Sequence, residues 1–379
     1  MKKSFDHVLF FVVGFMVVFS LLFFACLSSS ISMQRFNTPN HYFFRQLFLG
    51  FLPAIVMGFV AYIIPLHFLK KWAPWMVLAN LVALFLVFLP VFGTSAGGAT
   101  RWFNLGFASI QPAEFLKITS ILYLSAWIAS KLSENKNSDW NGKIRTTYHN
   151  FLYIFIPFAI FLAVITVALI LQSDVSTLGI IALTLLAVYF SAKTPLWHTL
   201  LVVLMGAGSL CFLVIFEPYR FQRFMTLFNP DSDPLGKGMQ IKQSLIALGS
   251  GGFFGKGLGM SIQKFSTLFP QATCDSIFPI IGEEFGIIGG ILLISAFIFI
   301  FWRGIKIAFA SNDKFSKMLA VGIVTWITLQ ALINISSGAG IFPLAGIPLP
   351  LFSAGGSHLV AEMIGIGLLL NISKKTGNI

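Results

Sequence analysis

Apolar residues gather in this chain into ten long blocks separated by mostly short polar intervals. A helix needs roughly 20 apolar residues to cross a hydrocarbon core. The blocks predict helices over about 8–30, 43–66, 74–92, 111–130, 150–171, 175–191, 196–216, 276–301, 318–339 and 351–372. The expected fold is an all-α polytopic membrane protein of about ten transmembrane helices, one domain over 1–379. Lys2 and Lys3 precede an apolar run from Val8 to Leu27 with no small-residue cleavage site, which predicts a retained first helix rather than a signal peptide.

One interval is long. Residues 217–275 are too polar and glycine-rich to span, and form one loop between the seventh and eighth helices. Within it Ile241, Leu245 and Leu248 recur at i, i+4 and i+7, predicting a short amphipathic helix with that face toward the membrane. Gly249, Gly251, Gly252, Gly255, Gly257 and Gly259 follow and permit tight turns.

Composition agrees with the pattern. Of 379 residues, 57% are hydrophobic and 10% charged, with a mean hydropathy of +0.87, which excludes an ordinary soluble domain. The net charge of +12 is first a matter of orientation, not a nucleic-acid footprint. An even number of spans places both termini on one side. With the termini inside, Lys2, Lys3, Lys70, Lys71, Lys131, Lys136, Lys143, Arg145, Lys193, Arg303, Lys306, Lys314, Lys317, Lys374 and Lys375 fall in the cytoplasm. The short outer loops then keep only Arg35 and Arg101, with Arg45 at a helix edge. Trp72, Trp75, Trp197 and Trp302 fall near the inner boundary, where indoles favour the interface. Cys26, Cys211 and Cys274 are isolated and lack metal-ligand spacing.

Polar groups at membrane depth mark the candidate chemistry. Gln111, Glu114 and Lys117 lie at i, i+3 and i+6 behind Pro112, a polar stripe at the outer end of the fourth helix. Such charges pair with one another and line functional cavities; a purely structural Glu114–Lys117 pair has the same spacing. Arg101, behind Gly97 and Gly98, suits either a phosphate or a lipid head group. Asp275 stands where the eighth helix begins, as a cap or as a general base. At 100° per residue Glu283 lies about 80° and Glu284 about 180° around the helix axis from Asp275, so the three cannot all face one cavity and at least one glutamate makes structural bonds; Asp174 suits a helix cap. From Asn334 to Ser357 the chain is rich in Gly, Pro and Ser, which at membrane depth requires backbone that lines a cavity or packs on protein. His358 and Glu362 follow at i, i+4 and are expected to pair.

Six stretches together resemble one family. They are Gly98-Ala99-Thr100-Arg101-Trp102, Gln111 through Lys117, Asp233-Pro234-Leu235-Gly236, Gln243 through Gly252, Asp275 through Gly289, and Asn334 through Ser357. On them the chain resembles the SEDS family of membrane glycosyltransferases, which includes the FtsW, RodA and SpoVE types. The FtsW (division) branch is matched best, on Ile64 through Pro74 and Gly259 through Lys264. Departures are Thr273-Cys274 before Asp275, Gln271 for Glu, Ser173 for Pro, Ala354 for Tyr and His358 for a small residue.

The resemblance implies a peptidoglycan glycosyltransferase that polymerises lipid II at the outer face of the cytoplasmic membrane. It implies Asp275 as catalytic base, and Arg101 and Lys117 as holders of the departing pyrophosphate, with Glu114 orienting Lys117. Gln111, Gln243, Ser244, Lys264, Ser353, Gly355 and Gly356 are the further expected substrate contacts. A divalent cation, Mg2+ or Mn2+, is expected to assist, with no organic cofactor and no visible metal cage. Expected partners are lipid II, undecaprenyl-pyrophosphate-linked glycan, a class B penicillin-binding protein of the FtsI kind and other divisome proteins; the expected location is the division septum. Competing readings are a lipid II flippase and an elongation-type, RodA-like polymerase.

Overall fold

The computed structural model describes residues 5–89, 93–96, 99–104, 106, 108–134, 151–192, 224–233, 236–262 and 275–375. The described helices are α1 (His7–Phe36), α2 (His41–Ile63, with a π-helical turn at Leu47–Phe51) and α3 (Leu66–Leu86). Three short strands follow, β1 (Gly93–Ala96), β2 (Ala99–Asn104) and β3 (Ser109–Ile110). Then come α4 (Pro112–Glu134), α5 (Ile156–Leu171), α6 (Val175–Ser191), α7 (Lys237–Gly251), α8 (Ile277–Ala310), α9 (Lys314–Gly338) and α10 (Gly356–Ser373).

Among the described residues, seven helices are long and apolar enough to cross a membrane: α1, α2, α3, α5 with its lead-in turn, α8, α9 and α10. The apolar α6 is shorter, and α4 has 23 residues but a charged beginning. The predicted span 196–216 lies outside the described residues. Several boundaries need correction: α1 runs on to Phe36 rather than 30, α3 ends at Leu86 rather than 92, and α8 runs on to Ala310 rather than 301. The third helix begins at Leu66 rather than 74, because Pro65 breaks the chain there and takes the N-cap position (ψ 129°). Pro74 therefore sits inside the helix, at its polar end beside Lys70, Lys71 and Trp72, and removes one backbone bond. The last helix begins at Gly356 rather than 351.

The interval after α3 is a small antiparallel sheet in the order β1-β2-β3, an addition to the helical fold. Gly93 pairs with Phe103 and Thr94 with Trp102, and Phe103 and Asn104 pair onward with Ile110 and Ser109. β-Branched and aromatic residues at Thr94, Thr100, Trp102 and Phe103 favour strands.

Burial identifies the centre of the bundle. About three quarters of the apolar stretches of α9 and α10 are buried (78% and 72%), against 22–33% for α1, α2, α3 and α8, whose outer faces suit lipid. Small residues bring α2 and α10 together: a Cβ on Gly367 would stand 2.1 Å from the Gly58 carbonyl oxygen. Asn371 Nδ2 then donates to the Ala61 and Ile64 carbonyls at 3.0 and 2.6 Å, capping the end of α2.

α8 is interrupted at Gly286, whose φ of 67° is closed to most side chains. The loop after α7 repairs the break. Lys256 N and Gly257 N donate to the carbonyls of Glu283 and Glu284, and Ile287 N and Ile288 N donate to those of Gly252 and Phe253. This reciprocal exchange is what a helix break within a membrane requires.

The amphipathic helix expected in the long loop is present as α7, and its expected membrane-facing stripe divides: Ile241 is buried, Leu248 half-buried and Leu245 exposed. Gly238, Ile241, Ser244, Ala247 and Gly251 are buried, whereas Leu245 is exposed. α7 packs on α8 where Gly251 meets the Gly282 carbonyl and Leu248 lies against Gly282 itself.

Candidate functional site

α9 ends at Gly338 and α10 begins at Gly356, and the chain between them has no regular structure. Three α9 side chains at i, i+4 and i+7 hold it, as one helix face allows. Gln330 Nε2 donates to the Pro348 carbonyl at 3.1 Å and Asn334 Nδ2 to that of Ile347 at 2.8 Å. Ser337 Oγ accepts from Ala345 N at 3.3 Å. Further along, Leu351 N donates to Glu362 Oε2 at 2.8 Å, and Leu349 N to Ser353 Oγ at 2.8 Å. The Gly- and Pro-rich stretch is thus a fixed wall, its polar backbone satisfied by buried side chains.

Asp275 faces this wall at the point where α8 starts. The N-cap position belongs to Ser276, whose hydroxyl accepts from Gln240 Nε2 at 2.8 Å, tying α7 to the same place. Asn334 Nδ2 donates to the Asp275 carbonyl at 3.0 Å. A Cβ on Gly346 would lie 3.7 Å from Asp275 Oδ2, and Gly346 has a φ of +65°. The carboxylate is therefore partly exposed beside a bare stretch of backbone, with its own backbone anchored.

Behind the wall runs a buried polar chain. Lys117 Nζ donates to Glu114 Oε2 and to Gln330 Oε1, each at 2.8 Å, and Lys117 is 2% exposed. Trp326 Nε1 donates to the same Gln330 oxygen at 2.9 Å, which fixes which end of the amide faces which way. Gln330 Nε2 reaches Glu362 Oε1 at 3.1 Å. His358 and Glu362 do not pair as expected. Glu362 is taken by Gln330 and Leu351 N, while His358 Nε2 contacts the Ser353 carbonyl at 3.0 Å, its ring lying against Gly355.

Arg101, on β2, donates from Nε to the Gln172 carbonyl at 3.0 Å and from Nη2 to that of Ser173 at 2.5 Å, fastening the sheet to the α5–α6 turn. Ser173 has φ +56°, a conformation closed to proline. Asp174 caps α6 by accepting from Thr177 N, as expected.

The remaining expected contacts separate by burial. Gln111 gives its backbone N–H to Ser357 Oγ at 3.0 Å. Gln243 is half-buried, and Ser244 is buried with no partner for its hydroxyl among the described residues. Ser353, Gly355 and Gly356 serve the frame: Ser353 supports Leu349, Gly355 N donates to Gln46 Oε1 at 3.1 Å, and Gly356 packs on the Leu49 carbonyl. Lys264, Gln271, Thr273 and Cys274 lie outside the described residues. Glu283 and Glu284 are both structural. Glu283 binds Lys256 Nζ at 2.7 Å and Ser261 Oγ at 2.5 Å, and Glu284 accepts from Gly259 N at 2.9 Å.

Asn334 and Gln330 were not singled out by sequence reasoning. Their signal was present, as single amides in an apolar helix, but nothing local says what they hold. Among the described residues no three of His, Cys, Asp and Glu converge on a metal site. A cavity of about 530 Å³ opens between the last turns of α1 and Gly259, lined by Cys26, Ser29, Ser30, Met33, Gln34 and Pro39, and no residue expected at substrate lines it.

The cell cycle protein family of FtsW, RodA and SpoVE matches residues 6–378. A probable peptidoglycan glycosyltransferase FtsW from Coxiella burnetii is 37% identical over 366 residues, 96% of this chain and 94% of that protein. Stage V sporulation protein E from Bacillus subtilis is 35% identical over 352 residues, 92% of this chain and 91% of that one. The fold is similar to a chain in a solved structure described as the structural coordination of polymerization and crosslinking by a peptidoglycan synthase complex. That likeness has a TM-score of 0.75 and 25% identity over 98% of each chain.

Proposed function

Since the chain belongs to the FtsW, RodA and SpoVE family of cell cycle proteins, we propose that it is a peptidoglycan glycosyltransferase that polymerises lipid II into glycan strands for septal wall synthesis. The seat of Asp275 carries the reading: a partly exposed carboxylate, anchored through its backbone, at the mouth of a wall of satisfied backbone. The acceptor's sugar 4-hydroxyl attacks the anomeric carbon of the lipid-linked donor. Its oxygen forms the new glycosidic bond, the bond from the anomeric carbon to the phosphate oxygen breaks, and the electron pair leaves with undecaprenyl pyrophosphate. Asp275 takes the hydroxyl proton.

Arg101 spends two of its five N–H donors on carbonyls, which leaves donors for the pyrophosphate. Lys117 is already satisfied and buried, so its part is to hold the frame and to lend positive potential from behind it. A divalent cation, Mg2+ or Mn2+, is a component to vary in the assay.

The charge distribution supports placing both termini in the cytoplasm and the Asp275 end at the outer face. The partner in this reading is a class B penicillin-binding protein of the FtsI kind, with other divisome proteins around it.

The test is glycan-strand formation from labelled lipid II by the purified chain with its cognate penicillin-binding protein. Polymer is expected from the wild type and none from Asp275→Asn, with folding and partner binding intact. Polymer from the variant would remove Asp275 as base. No polymer from either, together with protein-dependent lipid II flipping in liposomes, would make the protein a transporter.

A further inference from the structure

One buried amide sets both sides of the gap in front of Asp275. Asn334 is 2% exposed on α9, whose apolar stretch is 78% buried. Its Nδ2 has two hydrogens and gives one to the Asp275 carbonyl at 3.0 Å and the other to the Ile347 carbonyl at 2.8 Å. The first bond fixes the peptide plane after Asp275, and with it the direction from which the side chain leaves the backbone. The second fixes the residue next to Gly346, whose open face lies against Asp275 Oδ2. Gln330, one turn earlier, repeats the device on Pro348, and Lys117 and Trp326 hold Gln330 in turn.

Resting on the glycosyltransferase reading, we propose that Asn334 is a positioning residue for the reaction, fixing the Asp275 carboxylate at the distance from which it takes the acceptor's proton. It touches no reacting atom and acts through the Asp275 backbone. Ser337 is a built-in comparison. It holds the same wall at Ala345 from the same helix face, and its bond is to that wall rather than to Asp275.

The experiment measures kcat and KM for lipid II polymerisation, with thermal melting, for Asn334→Ala, Asn334→Gln and Ser337→Ala, each with the partner protein. A displacement of about 1 Å at a reacting group can cost about 100-fold. Asn334→Ala is expected to lower kcat by about 10- to 100-fold with KM within about threefold. Asn334→Gln keeps the amide but moves it by one methylene, and is read the same way if the alanine variant does not fold. Ser337→Ala, which loosens the wall at Ala345 without touching the Asp275 backbone, is expected to lower kcat clearly less than Asn334→Ala does. Normal kcat in a folded Asn334 variant, or an equal fall in Ser337→Ala, would overturn the proposal. Failure of the wild type to polymerise, or activity in Asp275→Asn, would instead overturn the reading on which it rests.

Discussion

The ammonium of Lys117 lies 2.8 Å from the amide oxygen of Gln330, 213 positions later in the chain. The contact joins the charged end of α4 to the centrally packed α9, and through Gln330 to the backbone of Pro348 and the carboxylate of Glu362. The Glu114–Lys117 pair, legible as a local spacing, is thus the first link of a tertiary chain.

Breaking that link is expected to be expensive. Lys117→Met leaves Glu114 buried without its cation, and removing one partner of a buried pair costs about 3–5 kcal/mol. The double variant Glu114→Gln, Lys117→Met removes both charges and is expected to lose less than the single one. Thermal unfolding in detergent of the wild type, both single variants and the double variant measures the coupling; additive losses would mean that the pair is energetically idle.

Glu283 anchors the loop that completes the α8 break, through Lys256, Ser261 and Ile262 N. Glu283→Ala is expected to raise hydrogen exchange over 252–262 and at Ile287 and Ile288, whose N–H groups depend on that loop. Exchange at Ala345 and Leu351, held by Ser337 and Glu362, should stay as it was. Equal deprotection of both regions would mean that Glu283 supports the whole bundle rather than one loop.

Gly367 tests the α2–α10 contact. An added methyl would stand 2.1 Å from the Gly58 carbonyl oxygen, so the helices must separate. Gly367→Ala is expected to cost about 1–3 kcal/mol, as overpacking does, and Gly14→Ala, with nothing within 4 Å, close to nothing. Melting temperatures of the two variants decide it.

At the α5–α6 turn, proline cannot adopt the φ of +56° that Ser173 holds. Ser173→Pro should cost more than about 1 kcal/mol and release Arg101 from the two carbonyls it binds. Ser173→Gly, free to adopt positive φ, should be tolerated. The readouts are melting temperature and proteolysis within β2; an unchanged Ser173→Pro protein would mean that the turn relaxes without loss.

Much of this protein was determined by its sequence because the signals are local. Long apolar blocks require helices wherever water is absent, since the backbone has no other partner. Pro112 begins α4, Asp174 caps α6, and the i, i+3 spacing of Glu114 and Lys117 makes a pair, each within one turn. The tertiary structure decided what depends on distance along the chain. Pro74 reads as a helix start until Pro65 is seen to supply it. Ile241, Leu245 and Leu248 read as one membrane-facing stripe until Ile241 is seen buried beside Gly251, which packs on Gly282. His358 and Glu362 read as partners until Ser353, Leu351 and Gln330 are found to claim them first. Asn334 carries no local mark of what it holds, because a buried amide takes its meaning from the carbonyls that folding brings to it. Here those belong to Asp275 and Ile347, on different elements of the fold.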